Sequence, residues 1–213
     1  MGSRRIAAEE RNALCDLFDE VGKDAPTLCG DWTTRDLAAH LIVRERRPDA
    51  GAGILLPALR GYTASVQDAV AQRPWPELVA AVREGPPRWS PLSVALFVDA
   101  VNAVEFFVHH EDVRRARAGW EPRPLDAGRD GVLWRSVRTV GRLSYRGSPV
   151  TIVLHRPGGA QHTVKRGTGT DTVTITGEPG ELLLHAYGRD EVRVRFDGSP
   201  EDVATVRGPG RGL

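Results

Sequence analysis

Apolar residues recur every three to four positions at the start of the chain. Ile6, Ala13, Leu14, Leu17, Phe18 and Val21 share one face, which predicts an amphipathic helix over 5–21 ending near Gly22. A second helix starts at Thr33, with Asp36 three residues on as its capping-box partner; DLAAHLIVRERR carries it and Pro48 stops it. Residues 57–72 predict a third helix. PWPELVAAVREG predicts a short fourth, with Pro76 in its first turn and Gly85-Pro86-Pro87 at its end. From about 91 to 117 the chain is apolar on nearly every side before it turns charged, the pattern of a helix packed centrally among others.

After GWEPRPLD the period changes. One more helical segment, 126–143, leads into VTIVLHR, QHTVKRG, DTVTITG and EVRVRFDG, whose alternating β-branched residues bounded by Gly and Pro predict four strands. GELLLHAYGR predicts a short helix between the third and fourth, and the glycines of RPGGAQ and RGTGTDT suit hairpin turns rather than a phosphate-binding loop. The expected fold class is α+β in two domains, a helical bundle of four to five helices over 1–124 and a small α+β domain over 125–213, with the tail RGPGRGL frayed.

Charge and cysteine content narrow the function. Twenty-nine cations against 28 anions leave a net charge of +1, without the basic surface that non-specific nucleic-acid binding needs, so no nucleic-acid partner is expected. The N-terminal segment lacks the apolar core of a signal peptide. Asp99, Asn102 and Glu105 break the longest apolar run well short of ~20 residues, so a cytoplasmic chain without a membrane span is expected, as monomer or homodimer. Cys15 and Cys29 match neither a disulfide framework nor a zinc or redox motif and are expected to be inert thiols.

The chemistry concentrates in EFFVHHEDVRRA, at the end of the apolar run. Glu105 and His109 are four apart and stand on one helical face, able to grip one ion, whereas His110 points about 100° away. The stripe runs back through Asn102, Val101 and Val98 and on to Asp112, which turns the pair inward. A third ligand must come from another helix, and His40, flanked by Leu37 and Leu41, is the other histidine of the helical half. Two imidazoles and a carboxylate suit a divalent transition metal with positions left open. His110, Glu111 and Asp112 with Arg114, Arg115 and Arg117 suit a solvated helix end with cations near its C-terminus, although Asp112 or His110 would also serve to orient a ligand imidazole.

APTLCGDWTTRDLAAHL, NAVEFFVHHEDVRRA and GEPGELLLHAYGR together resemble the mycothiol-dependent maleylpyruvate isomerase-like family, within the wider DinB-like metal-binding helical bundles. The resemblance spans nearly the whole chain. It implies a DinB-like N-terminal bundle, a C-terminal domain similar to the sterol-carrier-like fold, and zinc held by His40, Glu105 and His109. It also implies a second-domain arginine that holds substrate, matched by Arg189.

Mycothiol would be a co-substrate: a thiol on Zn²⁺ becomes a thiolate at neutral pH and attacks a small electrophile, giving isomerisation or S-transfer. A metal-dependent hydrolase using a metal-bound water, or a non-catalytic metal- or ligand-binding protein, would share these residues. Two consequences are expected of the triad. Metal affinity should fall below about pH 6, where imidazoles protonate. If Glu105 is a ligand, the ion's charge compensates its burial, so the metal-free Glu105→Gln variant should be at least as stable as the metal-free wild type; a clearly less stable variant would point to a protein partner such as an arginine in place of a metal.

Overall fold

The computed structural model describes residues 2–51, 57–87 and 98–208, which divide into two compact units, Met1–Glu121 and Pro122–Leu213. The first unit is helical: α1 (Ser3–Val21), α2 (Thr34–Arg46), α3 (Pro48–Gly51), α4 (Arg60–Ala71), α5 (Trp75–Glu84) and α6 (Val98–Arg115). The expected helical run over 91–97 and the end of the expected frayed tail, 209–213, lie outside the described residues. Among the described residues no helix is long and apolar enough to cross a membrane.

Local chemistry sets the helix ends. At the start of α2 the Asp36 carboxylate accepts hydrogen bonds from the Thr33 backbone N–H at 2.8 Å and the Thr33 hydroxyl at 2.7 Å. Gly22 ends α1 at φ +78°, a left-handed conformation that any side chain would strain. α1 packs on α5 and α6, and α2 on α4 and α5. Leu14, Phe18, Leu37, Leu41, Leu78, Val82, Phe106 and Val113 form the shared core. Each such side chain contributes about 1.5–3 kcal/mol by leaving water.

The second unit holds α7 (Ala127–Ser144), α8 (Pro179–Ala186) and a four-stranded sheet, β1 (Thr151–His155), β2 (Gln161–Lys165), β3 (Thr172–Thr176) and β4 (Arg195–Asp197), in the order β2-β1-β3-β4, with α7 packed on α8 and on β2. β1 pairs antiparallel with β2 and parallel with β3, and β4 closes the edge antiparallel to β3. Alternation buries Ile152, Leu154, Val164, Val173 and Ile175. Gly141 lets α7 approach closely, since a Cβ there would lie 2.9 Å from Val164 Cγ1.

The mixed helix-and-sheet architecture agrees with the α+β expectation. Three local readings change. RGTGTDT is not a hairpin turn, because the strands it joins, β2 and β3, lie on opposite sides of β1. The strand expected over EVRVRFDG shortens to Arg195–Asp197, because the Arg193 N–H is taken at 2.6 Å by the buried Glu181 carboxylate instead of by a neighbouring strand. A last helix, α9 (Pro200–Arg207), was not expected from the sequence, although Ser199 caps it by accepting from Asp202 N–H and Pro200 sits in its first turn.

Candidate metal centre

His40 lies on α2 and Glu105 and His109 lie one turn apart on α6, and the fold brings all three together. One carboxylate oxygen, Glu105 Oε1, is 3.4 Å from His40 Nε2 and 3.3 Å from His109 Nε2. One ligand atom from each of the three residues lies within 4.8 Å of the others. The rings of His40 and His109 meet edge to face at 5.4 Å, and the Trp32 ring packs against His40 at 5.2 Å. Two imidazole nitrogens and a carboxylate oxygen at this spacing fit the donor set of a divalent transition ion.

The site lies at a rim rather than deep in the bundle. Glu105 keeps 19% of its side chain exposed, and Val101, one turn earlier on the same edge, is 44% exposed instead of facing inward as expected. Asn102 and Asp112 are buried as the stripe predicted, whereas the Val98 side chain is outside the description.

Asp112 fixes His109. Fully buried, its Oδ2 accepts from His109 Nδ1–H at 3.0 Å, which leaves Nε2 aimed at Glu105. Cys29 Sγ–H donates to the same oxygen at 3.1 Å and lies 3.8 Å from His109 Nδ1. The TLCGDW turn is pinned there, because Leu28 N–H donates to the Asp112 carbonyl at 3.1 Å and Thr27 Oγ1 accepts from Cys29 N–H at 3.1 Å. Cys29, expected to be inert, thus sits in a second group of potential ligand atoms, Cys29, His109 and Asp112. The isolated cysteine carried no spacing signal, since its partners lie 80 or more residues on.

The charged end of α6 is not a solvated helix end. His110, Glu111, Asp112 and Arg115 are all buried. Glu111 accepts from Arg115 Nε at 2.6 Å and from Arg114, His110 Nδ1 lies 3.4 Å from the buried Glu10 of α1, and Trp120 stacks on the Arg115 guanidinium. Neutralisation within the helix and cover from the chain on either side replace water. Arg44, in the charged run RERR, was also missed: its Nε reaches Glu105 Oε1 at 3.3 Å. Arg189 lies in the second unit, where its Nη1 donates to the Tyr187 carbonyl at 2.7 Å.

Opposing environments set the protonation. Burial works to lower the His109 pKa, but hydrogen bonds to Asp112, Cys29 and Glu105 outweigh it and hold the ring well above the ordinary imidazole value. Burial works to raise Glu105, yet His109, His40 and the Arg44 charge hold it well below the usual carboxylate range. For His40, burial wins and keeps the ring neutral.

A metal ion taken up by these three residues would therefore have to displace a proton from His109 Nε2 but none from His40. Affinity is expected to fall about tenfold per pH unit below the elevated His109 value, an onset above the pH of about 6 that an ordinary imidazole would give. Asp112→Asn should move that onset down and weaken binding about 10- to 100-fold. Calorimetric zinc titrations across pH test this; an onset that stays put in Asp112→Asn would show that Asp112 does not hold the His109 proton.

No protein-family profile and no curated protein sequence matches the chain. Among solved structures, the crystal structure of the mycothiol-dependent maleylpyruvate isomerase superposes with a TM-score of 0.57 over 98% of this chain and 93% of that one, at 16% sequence identity. The chain therefore shares the fold of that isomerase, whose family its sequence motifs resemble.

Proposed function

We propose that the chain is a metal-dependent enzyme that activates a low-molecular-weight thiol, such as mycothiol, for isomerisation of or transfer to a small electrophile. The convergence of both imidazole Nε2 atoms on Glu105 Oε1 carries this reading. His40, Glu105 and His109 would hold zinc or a similar divalent ion. When bound, that ion supplies the positive charge that lets a thiol persist as thiolate at neutral pH.

The chain's own groups do the rest. Asp112 keeps the His109 proton on Nδ1 and the ring oriented, and Trp32 packs against the His40 ring. With both imidazoles neutral, a divalent ion and Arg44 bring three positive charges against the two carboxylates of Glu105 and Asp112. The surplus favours an anionic incoming ligand, a thiolate before a neutral molecule. The substrate-holding role of Arg189, the bundle as DinB-like and the second unit as sterol-carrier-like belong to the same proposal and rest on the family resemblance.

Two assays separate thiol chemistry from hydrolysis. Zinc-loaded protein should gain thermal stability on addition of mycothiol, because a ligand that binds only the folded state stabilises it by mass action. It should turn over no chromogenic ester without thiol. Ester turnover by zinc-loaded protein together with indifference to mycothiol would replace this reading with that of a hydrolase.

A further inference from the structure

Arg44 follows His40 by one turn of α2, so both side chains face the same part of α6. Its guanidinium is held at two points. Nε lies 3.3 Å from Glu105 Oε1, the oxygen that both imidazoles approach, and Nη1 donates to Asn102 Oδ1 at 2.9 Å. Asn102 is buried and stands one turn before Glu105 on α6. The guanidinium is thereby oriented while 14% of the side chain stays exposed, and Nη2 takes part in neither bond.

We propose that Arg44 and the candidate metal centre together form a subsite for a small carboxylate. The inference rests on the metal reading above and adds the chemical class of a ligand. A guanidinium that merely neutralised Glu105 would be well placed in a metal-free protein. Once an ion also draws on Oε1, two cations share one anionic oxygen and repel each other. An anion with two oxygens resolves the conflict, since it can offer one oxygen to each cation. The oxygen that turns to Arg44 meets a guanidinium whose direction is already fixed by Glu105 and Asn102. Lysine would keep the charge and lose that fixed direction.

The sign of the effect on metal binding separates this role from a structural one. If Arg44 only props Glu105 in place, removing it disorders a ligand and metal affinity falls. If Arg44 is a second cation beside the ion, removing it relieves repulsion, and metal affinity holds or rises.

Cobalt(II) serves as the metal and acetate as the probe, with full-length wild type, Arg44→Met and Arg44→Lys compared after circular dichroism shows each to be folded. Wild type should bind cobalt, and acetate should perturb its visible absorption. Arg44→Met should bind cobalt at least as tightly and acetate about 10- to 100-fold more weakly, with Arg44→Lys between the two. Equal acetate affinity in wild type and Arg44→Met, or a parallel loss of cobalt affinity in Arg44→Met, would overturn the subsite while leaving the metal centre standing. A wild type that takes up no cobalt removes both.

Discussion

Replacing His109 by alanine is expected to abolish metal binding, and His40→Ala to weaken it by on the order of a hundredfold or more. Groups that only hydrogen-bond a metal ligand account for about 10- to 100-fold. A ligand imidazole must therefore count for at least that. The two variants should differ in a second respect. His40 is neutral and contacts Glu105, the His109 ring and Trp32, so its loss removes one donor and some ring packing but takes no donor from a buried anion that lacks others. His109 stands between two carboxylates, with Asp112 at 3.0 Å on one side and Glu105 at 3.3 Å on the other. Removing it leaves the buried Asp112 anion without its imidazole donor, a loss of a kind that costs about 3–5 kcal/mol when one partner of a buried pair is deleted. His109→Ala should thus lose both metal and stability, whereas metal-free His40→Ala should lose less stability, that of its ring packing alone. Elemental analysis with thermal melts reads both; metal content equal to wild type in either variant would remove the metal centre.

The parts of this site that could be seen in the sequence are those that obey a local period. Glu105 and His109 share a helical face by their spacing, and His40 is marked as inward by Leu37 and Leu41. The Thr33–Asp36 start of α2 and the first three strands follow from capping and alternation, and they appear where expected. What could not be seen depends on partners distant in sequence. Arg44 looks like one more cation in RERR until α6 supplies Asn102 and Glu105. The end of α6 is dense in charge, which locally means water, and it is buried because Glu10, Trp120 and the Leu28 N–H arrive from other segments. Cys29 gains meaning only through Asp112, 83 residues later. α9 is a different kind of miss, since Ser199 and Pro200 were a local start signal available in the sequence.

The metal-free form of Glu105→Gln is now expected to be less stable than metal-free wild type, the reverse of what the sequence implied. That expectation assumed an ion to be the one counter-charge for a carboxylate in an apolar helix. The structure supplies two others, the Arg44 guanidinium at 3.3 Å and a His109 ring held protonated by its own hydrogen bonds. Glutamine keeps the size of the side chain but gives up the anion, leaving Arg44 and the His109 proton facing a neutral amide. Deleting one partner of a buried pair costs about 3–5 kcal/mol. Glu105 is partly exposed at the rim and glutamine retains a hydrogen-bond acceptor, so about 2 kcal/mol is the expected loss. The sign with pH follows from the two displaced titrations. The Glu105 contribution is present above the unfolded carboxylate value and fades as pH falls through its lower folded value. The His109 contribution is present below the unfolded imidazole value of about 6.5 and fades as pH rises through its higher folded value. The gap between wild type and Glu105→Gln should therefore be widest between about pH 4.5 and 6.5 and should narrow in more alkaline solution. Urea melts of the two metal-free proteins at pH 5.5 and pH 9 read this directly. Equal stability at pH 5.5 would mean that Arg44 and His109 do not compensate the carboxylate in the absence of metal. If the proposed ion binds, zinc should widen the gap again at pH 9, because an ion held by His40, Glu105 and His109 would stabilise wild type by mass action and would find one ligand fewer in the variant.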